Sequence, residues 1–291
     1  MKKRSMGDRI FDAIVYAILV VVFLIVFFPL MYVVSTSFAS ARELALNKFL
    51  IFPKHPTLEV YQYIFSTSTF LRSMIVNIVI TVVGTLVNLV MTCLMAYPLS
   101  RKALPGRSVI MTAVTFTLVF SGGMIPMYLV VNSLGLIDTY TSLILPGAIS
   151  SFNLILVKNF FQEIPESLID AAQIDGSSEM NTLARIVLPL SKPALATFTM
   201  FYAVGHWNQF MQPLLYLNDS KKWTIQILLR QIVLMSQSGV GDEDAMPPGF
   251  VLPVKSLKMA CIVVSTLPII AAYPFMQKYF DKGVMSGSIK G

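Results

Sequence analysis

Two groups of polar residues stand out in an otherwise oily chain, and each suggests its own chemistry. The first runs Ile164-Pro165-Glu166-Ser167-Leu168-Ile169-Asp170-Ala171-Ala172-Gln173-Ile174-Asp175-Gly176, then continues nine residues further to Ile186-Val187-Leu188-Pro189. With Glu163 and Glu179 flanking Glu166, Asp170 and Asp175, it gathers a third of the chain's acidic residues. Pro165 fits the first turn of a helix, and Glu166 there complements the positive helix end. Leu168, Ala171, Ala172 and Asp175 follow at helical spacing and share one face. Two alanines on that face leave a flat surface that another protein can approach closely. Asp175-Gly176 is a stop signal, because glycine takes the left-handed conformation past a helix end. Ser177 or Ser178 then caps a second helix through Arg185, which Pro189 ends. The expectation is a helix-turn-helix over 162–189.

The second group lies inside an apolar stretch: His206-Trp207-Asn208-Gln209, then Gln212-Pro213. Polar groups at membrane depth are costly unless they face protein or water, so they mark a candidate site. Trp207 offers a face of the kind that stacks on a sugar ring, and Asn208, Gln209 and Gln212 offer amides for hydroxyls. An outer-interface belt, where Trp also concentrates, accounts for the same residues. Further upstream, Asn77, Thr81, Gly84, Thr85 and Asn88 make one polar, small-residue stripe. Gly84 and Thr85 suit helix packing; Asn77 and Asn88 suit packing or a solute path equally.

The elements that hold these groups follow from hydropathy. The chain is 55% apolar and 13% charged with mean hydropathy +0.71, which excludes an ordinary soluble domain. Six windows free of Asp, Glu, Lys and Arg are long enough to cross a bilayer. The expected fold class is an all-α polytopic membrane protein: one transmembrane domain, 1–291, with spans near 13–38, 73–99, 108–131, 139–158, 193–217 and 259–279. Gly122-Gly123 and Pro126 mark a bend or unwound segment in the third span. The basic start Met1-Lys2-Lys3-Arg4 precedes an apolar run too long for a signal peptide and without a cleavage site, so it reads as an uncleaved first span. Arg101, Lys102 and Arg107 fill the loop after span two, whereas the loop after span three has no basic residue. That asymmetry places both termini and the hairpin in the cytoplasm. Cys93 and Cys261, in different spans, read as small buried apolar residues rather than a disulfide or metal site. His55, between Pro53 and Pro56, reads as a surface residue of an outer loop.

Ala-Ala, three residues, Gly, nine residues, Ile-x-Leu-Pro resembles the coupling motif of bacterial ATP-binding-cassette import permeases, the "EAA" loop that docks into a cleft of the ATPase subunit. Asp170 stands where that family usually has Glu, one methylene shorter with the same charge. Pro53-Lys54-His55-Pro56-Thr57-Leu58-Glu59-Val60-Tyr61, Pro98-Leu99-Ser100-Arg101 and Trp207-Asn208 resemble the carbohydrate branch. Leu134-Gly135-Leu136-Ile137-Asp138-Thr139 with Leu145-Pro146 resembles permeases for oligosaccharides and oligouronides. The tail 281–291 is small, flexible and cytoplasmic by composition; it resembles the tail of the second permease of maltose-type importers, which reaches between the ATPases through residues matching Ser288, Lys290 and Gly291.

The resemblance implies a membrane subunit in the bacterial inner membrane that forms half of a translocation path. Its implied partners are a second homologous permease, two ATPase subunits, an extracytoplasmic solute-binding protein and a carbohydrate. A slight basic excess in the outer loops leans towards an acidic sugar such as an alginate-type oligouronide. Glu166, Asp170, Ala171, Ala172, Asp175 and Gly176 would couple to the ATPase; Asn77, Asn88, His206, Trp207, Asn208, Gln209 and Gln212 would line the path. No G-x-x-x-x-G-K-[ST] loop is present, so the chain itself needs no cofactor, and ATP with magnesium belongs to the partner ATPase. An intramembrane enzyme needs titratable groups at depth, and His206 is the only one in the six windows. A passive channel or scaffold needs no docking hairpin. An amino-acid or polyamine importer would share the hairpin without the Trp207-Asn208 and tail features.

Overall fold

Apolar helices dominate because a backbone in lipid must satisfy its own hydrogen bonds. The computed structural model describes residues 6–46, 51–238 and 253–288, and those residues contain helices and no strand. In chain order the helices are α1 Met6–Ser37, α2 Ala41–Leu46, α3 Glu59–Ser66, α4 Ser68–Ser100, α5 Arg107–Val119, α6 Met124–Ser133, α7 Thr141–Ile144 and α8 Ser151–Gln162. They continue as α9 Glu166–Ile174, α10 Glu179–Thr182, a π turn Leu183–Val187, α11 Leu188–Leu190, α12 Lys192–Trp207, α13 Met211–Tyr216, α14 Ile225–Ser238 and α15 Val254–Ser288.

Three helical stretches among the described residues are long and apolar enough to cross a membrane unbroken: Ile10–Ser37, Ser68–Ser100 and Val254–Pro274. Three further pairs pass the same test only if a bend is allowed: α5 with α6 (118°), α7 with α8 (54°), and Glu179–Leu190 with α12 (87°). The first break falls at Phe120-Ser121-Gly122-Gly123, where Gly123 has φ 85° and ψ 177°. That backbone is open essentially to glycine alone, so the Gly-Gly pair is what permits the turn.

By its internal contacts the chain divides into two compact units, a subdivision that reading 1–291 as one domain did not anticipate. One unit comprises Met1–Phe70 and Leu229–Leu267. In it Glu43 is buried, and its Oε1 accepts from the backbone N–H groups of Lys54 (2.7 Å) and His55 (2.9 Å), fastening the Pro53–Pro56 turn. His55 itself is exposed. The Ser256 hydroxyl donates to the Ala39 carbonyl at 2.7 Å, which pins the start of α15 to the end of α1. Cys261 is buried and unbridged, as an apolar filler would be.

The other unit comprises Leu71–Leu228 and Pro268–Gly291. Its core packs Cys93, Ala96, Tyr97 and Leu99 of α4 against Leu154, Val157 and Phe161 of α8, Leu183 and Val187 of the π turn, and Phe198 of α12. A second cluster gathers Ile80, Val131, Leu143, Tyr216 and Leu217. Asp138, at φ 59°, closes the turn beside that cluster. Its carboxylate accepts from the backbone N–H groups of Asn218 (3.1 Å) and Asp219 (3.0 Å) and from Lys222 Nζ (2.7 Å).

The Lys222 ammonium holds the Asp138 carboxyl below its ordinary value, and Asp138 in turn raises Lys222. A lowered carboxylate contributes stability above its unfolded pKa and loses it as pH falls through the folded one; a raised lysine contributes below its unfolded pKa and loses it as pH rises through the folded one. We therefore expect amide protection over residues 136–140 and 216–222, measured relative to the intrinsic exchange rate at each pH, to be greatest between the two ordinary values, 3.8 and 10.5, and to fall beyond either end. Protection that stays level on leaving that window at both ends would remove the pair from the account of this turn.

The expected flexible tail is helical in its first part: α15 runs to Ser288, and no proline after Pro274 is present to stop it. Lys290 and Gly291 lie outside the described residues. So does the acidic Asp242-Glu243-Asp244 segment of the last outer loop.

Candidate functional site

The hairpin forms, with corrections of detail. Pro165 is not in the first turn but immediately before it, at φ −55° and ψ 128°, and α9 begins at Glu166. Proline's fixed φ suits that entry, and Glu166 still faces the positive helix end. Asp175 closes the helix, and Gly176 follows at φ +77°. Ser178, not Ser177, caps α10 by accepting from the Asn181 N–H. Pro189 does not end the second helix: the chain passes it through α11 and breaks at Ser191. The π turn Leu183–Val187 explains how. It shifts the hydrogen-bond register ahead of Pro189, so the N–H that proline lacks is not missed in a regular ladder.

The expected shared face of Leu168, Ala171, Ala172 and Asp175 is divided. Ile169 (3% exposed) and Ala172 (8%) point into the protein, whereas Leu168, Ala171, Asp170 and Asp175 point outwards. The residues turned inwards sit three apart, and the Ser177 N–H donates to the Ala172 carbonyl at 2.9 Å, drawing that side under the turn. Sequence reading missed Ile174, 87% exposed, and Met180, 60% exposed. An isoleucine between Gln173 and Asp175, out of phase with Ile169 and Ala172, was the available signal. Leu168, Ile174 and Met180 are thus apolar and exposed among the carboxylates of Glu166, Asp170 and Asp175.

Glu179, also missed, ties the hairpin down. Its Oε2 accepts from the Tyr97 hydroxyl (2.6 Å) and its Oε1 from Gln173 Nε2 (2.8 Å). Tyr97 lies at the end of α4, so one carboxylate joins both hairpin helices to a long span. Beside it a groove of ≈ 690 Å³ separates Glu166, Asp170 and Glu179 from Arg101 and Lys102. Tyr97→Phe should cost about 1.5–3 kcal/mol of local stability, the range for a hydrogen bond to a charged group. Limited proteolysis between Glu166 and Thr182 should quicken accordingly while α4 stays protected; unchanged cleavage would show that Glu179 holds the hairpin without Tyr97.

The second polar group is brought together by α4, α8 and α12. Asn88 and Asn77 are 2% and 1% exposed. Asn88 Nδ2 donates to the Gly147 (2.6 Å) and Ala148 (3.2 Å) carbonyls, at the end of the 3-10 turn Leu145–Gly147 that follows α7. Its Oδ1 then faces His206 Nε2 at 2.7 Å, so that nitrogen carries the proton. Asn77 Nδ2 donates to the Trp207 carbonyl at 3.4 Å. Gly84 lets the imidazole lie directly on α4: a Cβ there would stand 2.6 Å from His206 Nε2. Thr92 and Tyr202 share a 2.7 Å hydrogen bond in the same layer.

These contacts are helix ties first. Beyond them, an open groove of ≈ 560 Å³ is lined by Asn88, His206, Asn208, Gln209 and Gln212 together with Asn153. Trp207 is not on that wall: it is 5% exposed and packs the other way, because one residue along a helix turns the side chain by about 100°. Asn77 is likewise behind the wall. Asn153 and Ser150, which sequence reading passed over, face the groove beside Tyr202. A wall of amides and hydroxyls can bind a polyhydroxylated solute without charge. No cluster of metal-ligating side chains occurs among the described residues.

Known proteins agree with this architecture along almost the full length. The chain is 53% identical over 285 residues to Protein LplC of Bacillus subtilis, covering 98% of this chain and 96% of that one. It is 50% identical over 286 residues to the polygalacturonan/rhamnogalacturonan transport system permease protein YtcP of the same organism, covering 98% and 100%. Among solved structures, a chain of a bacterial ABC transporter involved in the import of the acidic polysaccharide alginate superposes with a TM-score of 0.90 at 30% identity, covering 96% of this chain and 100% of that chain. Residues 1–286 match the model of a family described as the binding-protein-dependent transport system inner membrane component. With helices apolar and long enough for a bilayer and near-complete coverage by that model, the chain belongs to the family of binding-protein-dependent transport system inner membrane components.

Proposed function

We propose that this chain is one of two membrane-spanning subunits of an ATP-driven importer of oligosaccharides, acidic ones in particular. The observation that carries this reading is the hairpin: Leu168, Ala171 and Ile174 form an exposed apolar face, rimmed by Glu166, Asp170 and Asp175 and ended by Gly176, on a support tied to α4. The six windows act as six spans, the bent pairs counting once each. Both termini are cytoplasmic, and 1–291 works as a single permease. The partner set is a second homologous permease, two ATPase subunits and an extracytoplasmic solute-binding protein. ATP and magnesium stay on the ATPase, and this chain does no chemistry of its own. Closure of the ATPases pushes the hairpin, and the spans swing between inward and outward openings whose relative energies ATP changes. Ser288, the last residue of α15, and Lys290 and Gly291 beyond it in sequence extend the same contact.

Asn208, Gln209 and Gln212, with Asn88 and His206 behind them, line this chain's half of the path. Trp207 and Asn77 position that wall rather than touch solute. Relatives named for polygalacturonan, rhamnogalacturonan and alginate favour uronates as the solute. The test is uptake of labelled oligogalacturonides by vesicles holding the complete importer and its binding protein, with ATP inside. Accumulation that needs ATP and the ATPase supports the proposal; solute entry that survives removal of the ATPase subunits means a passive pore instead.

A further inference from the structure

A third groove, of ≈ 620 Å³, runs along α5 where α8 packs against it. At its lower end stand two cations, Arg107 and Lys158, and no acidic side chain lines it anywhere. Both line the groove, and the Arg107 charge is felt at Lys158. Arg107 Nε donates to the Leu99 carbonyl (2.8 Å), and Gln162, one turn beyond Lys158, donates to the neighbouring Ser100 carbonyl (3.3 Å). Lys158 is only 9% exposed, so its stem is packed away while its ammonium meets the groove next to the Arg107 charge, where an anion would offset both.

Above the cations the wall turns apolar. Phe116, Val119 and Phe120 are 59%, 71% and 62% exposed, and the two phenyl rings stack at 4.6 Å. The intervening threonines do not break this surface. Thr112 and Thr115 each turn the hydroxyl proton back onto a carbonyl one turn earlier, at 2.9 Å, so neither offers a donor outwards. From Met111 to Phe120 the strip rises about 13 Å. One leaflet's hydrocarbon is ~15 Å deep. A cation pair at one end of an acyl-length apolar strip has the polarity of a phospholipid seated in the inner leaflet.

We propose that Arg107 and Lys158 bind the phosphate of an anionic phospholipid, such as phosphatidylglycerol, whose acyl chain lies along Met111–Phe120. The placement in the inner leaflet rests on the orientation proposed above. The lipid contact itself does not depend on which solute is carried. A sugar carboxylate would satisfy the same two cations, but no amide lines this wall, and Ser108 at its foot is the only lining hydroxyl not turned back onto a carbonyl. The bound lipid neutralises the positive charge at the foot of α5 and α8, next to where α8 enters the hairpin.

The test is site-resolved photolabelling of the complete importer in phosphatidylcholine vesicles doped with a diazirine-bearing phosphatidylglycerol, with the matching diazirine phosphatidylcholine as the neutral probe. Phosphatidylglycerol should label the 111–120 segment several-fold more than phosphatidylcholine. Arg107→Gln or Lys158→Gln should each cut that preference about five-fold, the effect of one surface cation on an anionic lipid. Lys158→Arg keeps the charge and should keep the label, while Lys192→Gln, an exposed cation outside the groove, should leave the segment's labelling unchanged. Equal labelling by both lipids in the unaltered importer would overturn the proposal without any variant. So would an unlabelled segment, which would mean that another subunit covers it, or loss of label to added oligogalacturonate, which would make the groove a carboxylate subsite for solute.

Discussion

An importer carrying Ala171→Arg or Ile174→Asp should lose its ATPase subunit on purification, and its ATP-dependent uptake should fall to the background of empty vesicles. The reason is geometric and energetic together. Ile174 is 87% exposed, and Ala171 points outwards on the same side of α9, so neither change disturbs the interior. Burying an isoleucine in a partner's cleft is worth about 1.5–3 kcal/mol, and a charge forced into that cleft adds a desolvation cost. Docking should therefore weaken by roughly a hundredfold or more, since each 1.4 kcal/mol is a factor of ten. Helix content and detergent monodispersity should be those of the unaltered chain. Ala172→Arg would not test the same thing, because Ala172 is 8% exposed and an arginine there would break the hairpin itself. ATPase retained at full stoichiometry by both variants would show that α9 is a solvated loop helix.

The second large effect is expected at Gly84. An alanine methyl would stand 2.6 Å, 2.7 Å and 2.9 Å from three atoms of the His206 ring. The ring cannot retreat without giving up its 2.7 Å bond to Asn88, which also holds the Gly147 and Ala148 carbonyls. Overpacking costs about 1–3 kcal/mol, and an unpaired buried polar group about as much again. Gly84→Ala should thus lower stability by roughly 2–6 kcal/mol, seen as a drop in the thermal midpoint in detergent. His206→Ala alone should destabilise, yet Gly84→Ala added to it should cost little, because the new methyl then occupies the vacated space. Purely additive losses in the double variant would place the two residues in separate environments.

How much of this could be read beforehand depends on the kind of force involved. Hydropathy located the apolar windows because a charge-free run is a direct statement about a helix in lipid. The turn at Gly176 was legible for the same local reason, since only glycine takes φ +77° without strain. The bend at Gly122-Gly123 follows from the same chemistry. Which side of α9 faces inwards was not legible. Leu168, Ala171 and Ala172 have similar polarity, and the choice is made by the tie from Glu179 to Tyr97, a pair 82 residues apart. Trp207 was misplaced for a related reason. A Trp beside three amides reads as one patch in sequence, but on a helix it faces away from Asn208. The continuation past Pro189 was hidden because a π turn has no composition signature; it is an adjustment between two segments that packing has already fixed.

That π turn gives the hairpin two unlike attachments. Before it, the chain descends through regular α8 with Leu154, Val157 and Phe161 locked in the core. After it, the chain leaves through Leu183–Val187, passes Pro189 and swings by 87° into α12. The first attachment is a continuous helix and the second a bent one, and both are seated in the same core, since Leu183, Val187 and Phe198 pack with Leu154, Val157 and Phe161. The bent arm is the one that leads to His206 and the groove.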